Sequence, residues 1–557
     1  MTVLWSDLDN NVSPGAWYKD RSLRRNVLLA FICWFGSFCL GYGQSPHLLL
    51  RPGPHRFPGS EELILEPPPA DGSYMNGLQA MSTWNEAFGH PAGNKLGIIS
   101  ASSYLPSLVV LPVFPIICDR LGRRWTAVIG GLVTIVGAII GAAANDLGML
   151  IVGRAIVGPG GSLLLLATNL LLNETLHPRF RAVGASVFLC FLYVGSITSS
   201  LISFGAVQGG WRSSWSWRLP TLLQALGPLV ILGGLPWLPE SPRYLVSKGK
   251  RQQALQILAQ QHANGKEDDP LVLFELGEIE GAIEREIIQK QGFRAFFKTK
   301  GNRHRLLILL SVGTGTQGLG NAVLSYYLAP VLILAGITSS VQQTGLNVGL
   351  QIFNLIAALI GASLTERVGR RPLWKISSGA MLVAFSGLLA MSAGFAETGK
   401  KNLGFASIAF IFLSYGAYDI AWTPLAYSYT TEILPYSLRA SGISLLIWVQ
   451  NATLCANQWV NPIGLGAAGW KFYFLFIATI IFFNIMVWWK FVETKGLSLE
   501  EVCLIFDGNE ATNMHDRKEA ADAQVKYDRK MRETSHLEDV GEAKDIELAG
   551  EEATYRM

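Results

Sequence analysis

The sequence predicts an all-α membrane protein: twelve transmembrane helices in two pseudo-symmetric six-helix bundles, with short helices between the halves. Three observations carry this reading. The chain of 557 residues is 50% hydrophobic and 15% charged, with a mean hydropathy of +0.30, too apolar for a string of soluble domains. Apolar stretches near the roughly 20 residues that cross a bilayer recur along it. Its second half also repeats motifs of its first.

Taken in order, the first half holds apolar stretches at 27–42, 96–118, 126–144, 149–172, 182–207 and 221–238. The second half holds 306–336, 344–364, 373–393, 403–430, 443–463 and 472–491. Five domains follow: an N-terminal tail (1–26), a first bundle (27–240), a polar linker (241–305), a second bundle (306–492) and a C-terminal tail (493–557). The linker carries helical periodicity in "FELGEIEGAIEREIIQKQGFRAFF", which predicts short amphipathic helices. The first stretch is anomalous. Its 16 residues give roughly 24 Å of helix against a core of about 30 Å, and Pro46, Pro52 and Pro54 oppose its extension.

The net charge of +4 does not point to nucleic acid, because the basic residues sit in short loops between spans. With twelve spans and both ends in the cytosol, Arg24-Arg25, the runs 119–124, 179–181 and 366–371, and Arg439 all fall on one side, as the positive-inside rule requires. The sequons at Asn11, Asn173 and Asn451 then lie on the cytosolic side or within a span, where glycosylation is not expected. Six cysteines without metal-ligand spacing give no disulfide framework or zinc site. The polar N-terminus has no small-residue cleavage site, so no removable signal peptide is read.

The repeat is specific. "DRLGRR" (119–124) answers "ERVGRR" (366–371), and "ETLHPRFR" (174–181) answers "EILPYSLR" (432–439). Acids and arginines at helix ends pair with each other and with helix termini. Asp119, Arg123, Arg124, Glu174 and Arg181, with Glu366, Arg370, Arg371, Glu432 and Arg439, are therefore expected to form a cytosolic gate between two bundles that flank a substrate cavity.

With "GRAIVG" (153–158), "PESPRYLVSKGK" (239–250) and "VETKG" (492–496), these motifs resemble the sugar porter branch of the major facilitator superfamily. A finer match, in "QGLGNAVLSYYL", "YDIAWTPLAYSYTTEILPYSLRA" and "NQWVNPIGL", resembles the fungal lactose-permease-like group of disaccharide carriers. The resemblance implies uptake of a mono- or disaccharide, usually coupled to protons, across the plasma membrane.

The resemblance also bears on the anomalous first stretch. In this family the helix continues through Gly-Tyr-Asp. Removing residues 43–70 joins Gly41-Tyr42 to Asp71 and gives "LGYDGSYMNGLQAM", which fits that pattern. The 28 residues therefore read as a translated intron, or else as a genuine extracellular loop insertion of the kind long loops tolerate.

Ionisable residues inside spans are functional candidates because burying them costs free energy. The resemblance implies that Asp71 and Arg154 are the acid and arginine whose pairing changes as a proton is taken and released. Without the splice, Asp71 reads as an exposed loop acid. Asp419, in "SYGAYDIAWTP", is either a second proton or substrate site or an acid satisfied by neighbouring hydroxyls. Sugar hydroxyls call for amides, and the apolar sugar face calls for an aromatic platform. Gln317, Asn321, Asn354, Gln450 and Tyr427 are the expected substrate contacts, with Asn354 and Tyr427 standing where the family places a sugar-contacting asparagine and often a tryptophan. Asn451 reads instead as an interhelical hydrogen bonder. One departure is Leu189, where many hexose carriers have glutamine. "GPGGS" (158–162) lacks the phosphate-loop lysine and reads as close helix packing.

No catalytic constellation or cofactor motif is present, so neither enzyme nor cofactor is expected. The expected partners are a sugar, protons and the lipid bilayer, with the chain acting as a monomer. A sugar sensor of the same fold and an exporter of a sugar-like metabolite remain the alternatives.

Overall fold

The computed structural model describes residues 20–43, 72–211, 213–289, 293–334, 336–337, 339–495, 502 and 505–507. The first half opens with α1 (Arg21–Gly43) and resumes at α2 (Gly72–Gln79), with a short α3 (Ser82–Ala87) following. The next span bends through α4 (Gly93–Ala101) and α5 (Tyr104–Leu121), and Pro112 and Pro115 lie inside it. Then come α6 (Arg123–Ala142), α7 (Leu147–Thr175), α8 (Pro178–Gln208) and a span broken into α9 (Trp215–Leu222) and α10 (Leu226–Gly233).

Three helices occupy the linker: α11 (Pro242–Ser247), α12 (Arg251–His262) and α13 (Pro270–Gln289), packed through Leu245, Leu258, Val272 and Leu276. They dock on the first bundle, where the Asn26 side chain accepts from the His177 backbone N–H at 2.8 Å and donates to the Gln261 carbonyl.

The second half runs α14 (Lys300–Gly318), α15 (Asn321–Tyr326), α16 (Leu328–Leu334), α17 (Ser340–Val368), α18 (Arg370–Thr398), α19 (Lys401–Ala421), α20 (Leu425–Ile433), α21 (Tyr436–Ala468) and α22 (Tyr473–Lys490). Its first span breaks at Gly320, whose φ of 87° is left-handed, and again at Tyr327.

Ten helical stretches among the described residues are long and apolar enough to cross a membrane, and the last of these contains both α21 and α22. Counting those two separately and adding α1 gives twelve. The burial pattern is that of a protein in lipid: Leu105, Val109, Val113 and Ile116 form an exposed apolar stripe on α5, while Ser107, Phe114 and Cys118 face inward. Within each half, small residues let backbones approach. Gly158 and Gly160 of "GPGGS" sit in close helix contacts, and a Cβ on Gly158 would lie 1.9 Å from the Ser103 carbonyl oxygen. Gly158→Val is therefore expected to cost about 1–3 kcal/mol through overpacking, read as a lower melting temperature of the purified protein in detergent. An unchanged melting temperature would contradict this close contact.

Helix direction alternates, so the linker and the described ends of the chain share one end of the molecule, the tail end. Three hydrogen bonds that join the halves lie at the opposite, far end. Asn76 Oδ1 accepts from Leu328 N–H (3.0 Å), Asn347 Nδ2 donates to Ser200 Oγ (3.1 Å), and Trp459 Nε1 donates to Asn94 Oδ1 (2.7 Å). The Asn76 bond uses the backbone N–H at the junction of α15 and α16, one that a continuous helix would satisfy internally.

Candidate functional site

At the tail end, the turn from α5 to α6 passes through Gly122 (φ 91°), and the turn from α17 to α18 through Gly369 (φ 104°). Each glycine presses on a carboxylate, and a Cβ on Gly122 would meet Glu240 at 2.3 Å. These carboxylates cap the helices that follow, where a negative charge is favoured by the unpaired N–H groups and the dipole. Glu240 accepts from the N–H groups of Arg123 and Arg124 (2.9 and 3.2 Å), and Glu493 from those of Arg370 and Arg371 (both 3.0 Å).

The side chains repeat the symmetry. Arg123 donates to Glu174 at 3.0 Å, and Ser241 also donates to Glu174. Arg370 donates to Glu432 at 2.8 Å, and Thr494 also donates to Glu432. Tyr429, stacked on Phe491, exchanges hydrogen bonds with the backbone of Val492 and so fixes the segment carrying Glu493. Tyr244 packs under Arg123 and donates to the Arg120 carbonyl; burial, and after it the charge of Glu240, push its phenol pKa up.

The other expected gate residues are peripheral to these two clusters. Asp119 is largely exposed and 3.6 Å from Arg123. Arg124 and Arg371 turn to the carbonyls of Leu235 and Trp488, and Arg439 to that of Thr431. The side chains of Arg181 and Glu366 lie outside the described residues. Glu240, Ser241, Glu493 and Thr494 were absent from the expected set, although the motifs "PESPR" and "VETKG" that contain them were legible.

The candidate substrate residues lie deeper, between the two ends. Tyr427 donates to Gln450 Oε1, and Gln450 Nε2 donates to Thr316 Oγ1 at 3.1 Å. Tyr418 donates to the Thr316 carbonyl at 2.7 Å. These bonds tie α14, α19, α20 and α21 together. Asp419 is fully buried beside them and accepts from Thr423 at 2.8 Å. Gln317 is half-buried, its carbonyl receiving Asn457, and buried Asn321 begins α15. Asn451 donates to Ile447 within its own helix. Asn354 differs from all of these. It is fully buried on α17, and neither atom of its amide finds a hydrogen-bond partner among the described residues. Leaving such a group unpaired costs roughly 1–3 kcal/mol, so the amide is poised for a polar guest.

In the first half, Arg154 on α7 is 6% exposed; its Nε donates to the Ile99 carbonyl at 2.7 Å and its Nη1 lies 3.1 Å from Met75 Sδ on α2. Asp71 lies outside the described residues.

Residues 71–506 match the family described as Sugar (and other) transporter, and the chain belongs to it. It is thus a secondary transporter of the sugar porter family, a multi-pass membrane protein and not an enzyme. Among its relatives, the MFS-type transporter oryC of Aspergillus oryzae is 28% identical over 71% of this chain and 73% of its own length. The sugar transport protein MST7 of rice, Oryza sativa subsp. japonica, is 26% identical over 73% and 79%. The fold is similar to that of the xylose transporter XylE from E. coli in its inward open conformation, with a TM-score of 0.67 and 17% identity, covering 86% of this chain and 99% of that one.

Proposed function

We propose that this protein imports a neutral mono- or disaccharide together with a proton, by alternating access between its two bundles, in the plasma membrane with both termini in the cytosol. The tail end is then the cytosolic gate and the far end the extracellular one. The observation that carries the reading is the fully buried amide of Asn354, neither atom of which finds a partner among the described residues, in a half whose packed helices also hold the Tyr427, Gln450 and Thr316 network and buried Asp419. Such a lining suits uncharged hydroxyls. Gln317, Asn321, Tyr427 and Gln450 complete the substrate set, and the motifs shared with the fungal lactose-permease-like group favour that branch.

Proton coupling is assigned to Asp71 and Arg154, with Asp419 as a second acid. On an unbroken first span, position 71 falls one helical turn before Met75, which contacts Arg154. Residues 43–70 are read as a retained intron. In support, α1 and α2 both pack against α8, and the family match begins at residue 71.

The test is sugar-dependent alkalinisation of the medium by cells expressing the form without residues 43–70. We expect alkalinisation with the right sugar and its loss in Asp71→Asn. Uptake without proton movement would leave a uniporter, and binding without uptake would make the protein a sensor.

A further inference from the structure

The interface between α8 and α17 holds more polar groups than closing a gate requires. On α17, Asn347, Gln351 and Asn354 fall at i, i+4 and i+7, a single helix face, and all three are buried. On α8, Ser196, Ser199, Ser200 and Ser203 occupy one face in the same way, each 0% exposed. The Asn347 to Ser200 bond shows that the two stripes face each other.

That bond and a long one from Gln351 Nε2 to Asn347 Oδ1 (3.4 Å) leave much of the seam unpaired. Ser199 Oγ, Ser203 Oγ, Gln351 Oε1 and both amide atoms of Asn354 have no hydrogen-bond partner among the described residues. A seam built only to close would be apolar or fully bonded, because each orphan costs free energy in the closed state. Ser203 Oγ packs on Gly77 of the same bundle, whereas Ser199 Oγ and the unbonded amide atoms of α17 would gain partners if the bundles part and something polar enters.

We infer that the seam is a second saccharide subsite, open when the far end opens, which takes the second ring of a disaccharide whose first ring sits at Asn354. This deepens the sugar-transport reading and rests on it. Asn347 to Asn354 spans roughly 10 Å at 1.5 Å per residue, about the length of two linked hexoses. None of the seven side chains is ionisable, so the guest is neutral. Amides on one wall and hydroxyls on the other can each donate and accept, as ring hydroxyls do. Gly77 of α2 closes the side of the seam, its face filled by Ser203.

The experiment compares KM for disaccharides (maltose, sucrose, lactose, cellobiose) with KM for glucose and galactose in cells expressing the form without residues 43–70 and its Ser199→Ala/Ser203→Ala variant. The expected result is a KM raised about tenfold for the transported disaccharide, with less than about a twofold change for its monosaccharide. Monosaccharide uptake also reports that the variant folds. If the variant does not reach the membrane, Gln351→Asn reads out the same ratio. Equal changes for both sugar sizes, or none for either, would make the seam a gate and overturn the subsite. So would an unsubstituted form that carries monosaccharides alone. Transport of no sugar at all would instead refute the transport reading.

Discussion

Arg154→Gln is expected to lower proton-driven sugar accumulation by about a hundredfold, the consequence of removing a buried charge that ties neighbouring helices together. The side chain is 6% exposed inside a span, and its Nε holds the Ile99 carbonyl on α4 while its Nη1 reaches Met75 on α2. It therefore joins three elements of the first bundle, and a glutamine can replace at most one of these contacts. If Asp71 is its counter-charge, the loss falls on coupling more than on binding. Sugar counterflow in proteoliposomes, which needs no proton gradient, should then survive better than accumulation. Arg154→Lys keeps the charge without the fork, and is expected to fall between the two. Accumulation that is untouched in Arg154→Gln would remove this arginine from the mechanism.

The second large effect is expected at the tail end, and the two symmetric clusters should respond unequally. Arg123 and Glu174 are 11% and 6% exposed, whereas Arg370 and Glu432 are 20% and 25% exposed. Stranding a buried charge costs about 3–5 kcal/mol, and water screens the more open pair. Arg123→Ala should therefore lower the melting temperature and the uptake rate more than Arg370→Ala. Glu240→Gln, which weakens the cap on the α6 N–H groups but leaves the Arg123 to Glu174 pair, should do less than either. Initial uptake rates and thermal unfolding of the three variants decide this, and equal loss in the two arginine variants would contradict the burial argument.

The clusters also show how far the sequence could be read. "DRLGRR" and "ERVGRR" announced arginines at helix starts, because glycine and consecutive bases at the end of an apolar run have few other uses. That Glu240 and Glu493 would be the caps was not announced. Each lies more than a hundred residues from the amides it accepts, and a carboxylate's partner is fixed by packing rather than by spacing. Likewise the sequence offered Arg123 and Arg124 as equals, while the fold gives Glu174 to the first and the Leu235 carbonyl to the second. Neighbouring residues on a helix point about 100° apart, so they cannot share one acid.

The amides followed the same rule. Gln450 and Tyr427 were legible as polar groups in apolar spans, but their mutual bond leaves them occupied, and only the packed helices single out Asn354 as unpaired. The serines of α8 drew no notice in the sequence, since serine is common between membrane helices.

By itself, then, the sequence determined the helical class, the run of membrane-crossing helices and the two-fold repeat. Each follows from hydropathy or self-similarity, which are properties of neighbours along the chain. The tertiary structure alone decided at which end hydrogen bonds join the halves, which carboxylate caps which helix, and which buried amides lack a partner among the described residues. Those depend on contacts between residues far apart in the chain, whose pairing is settled only when the helices pack.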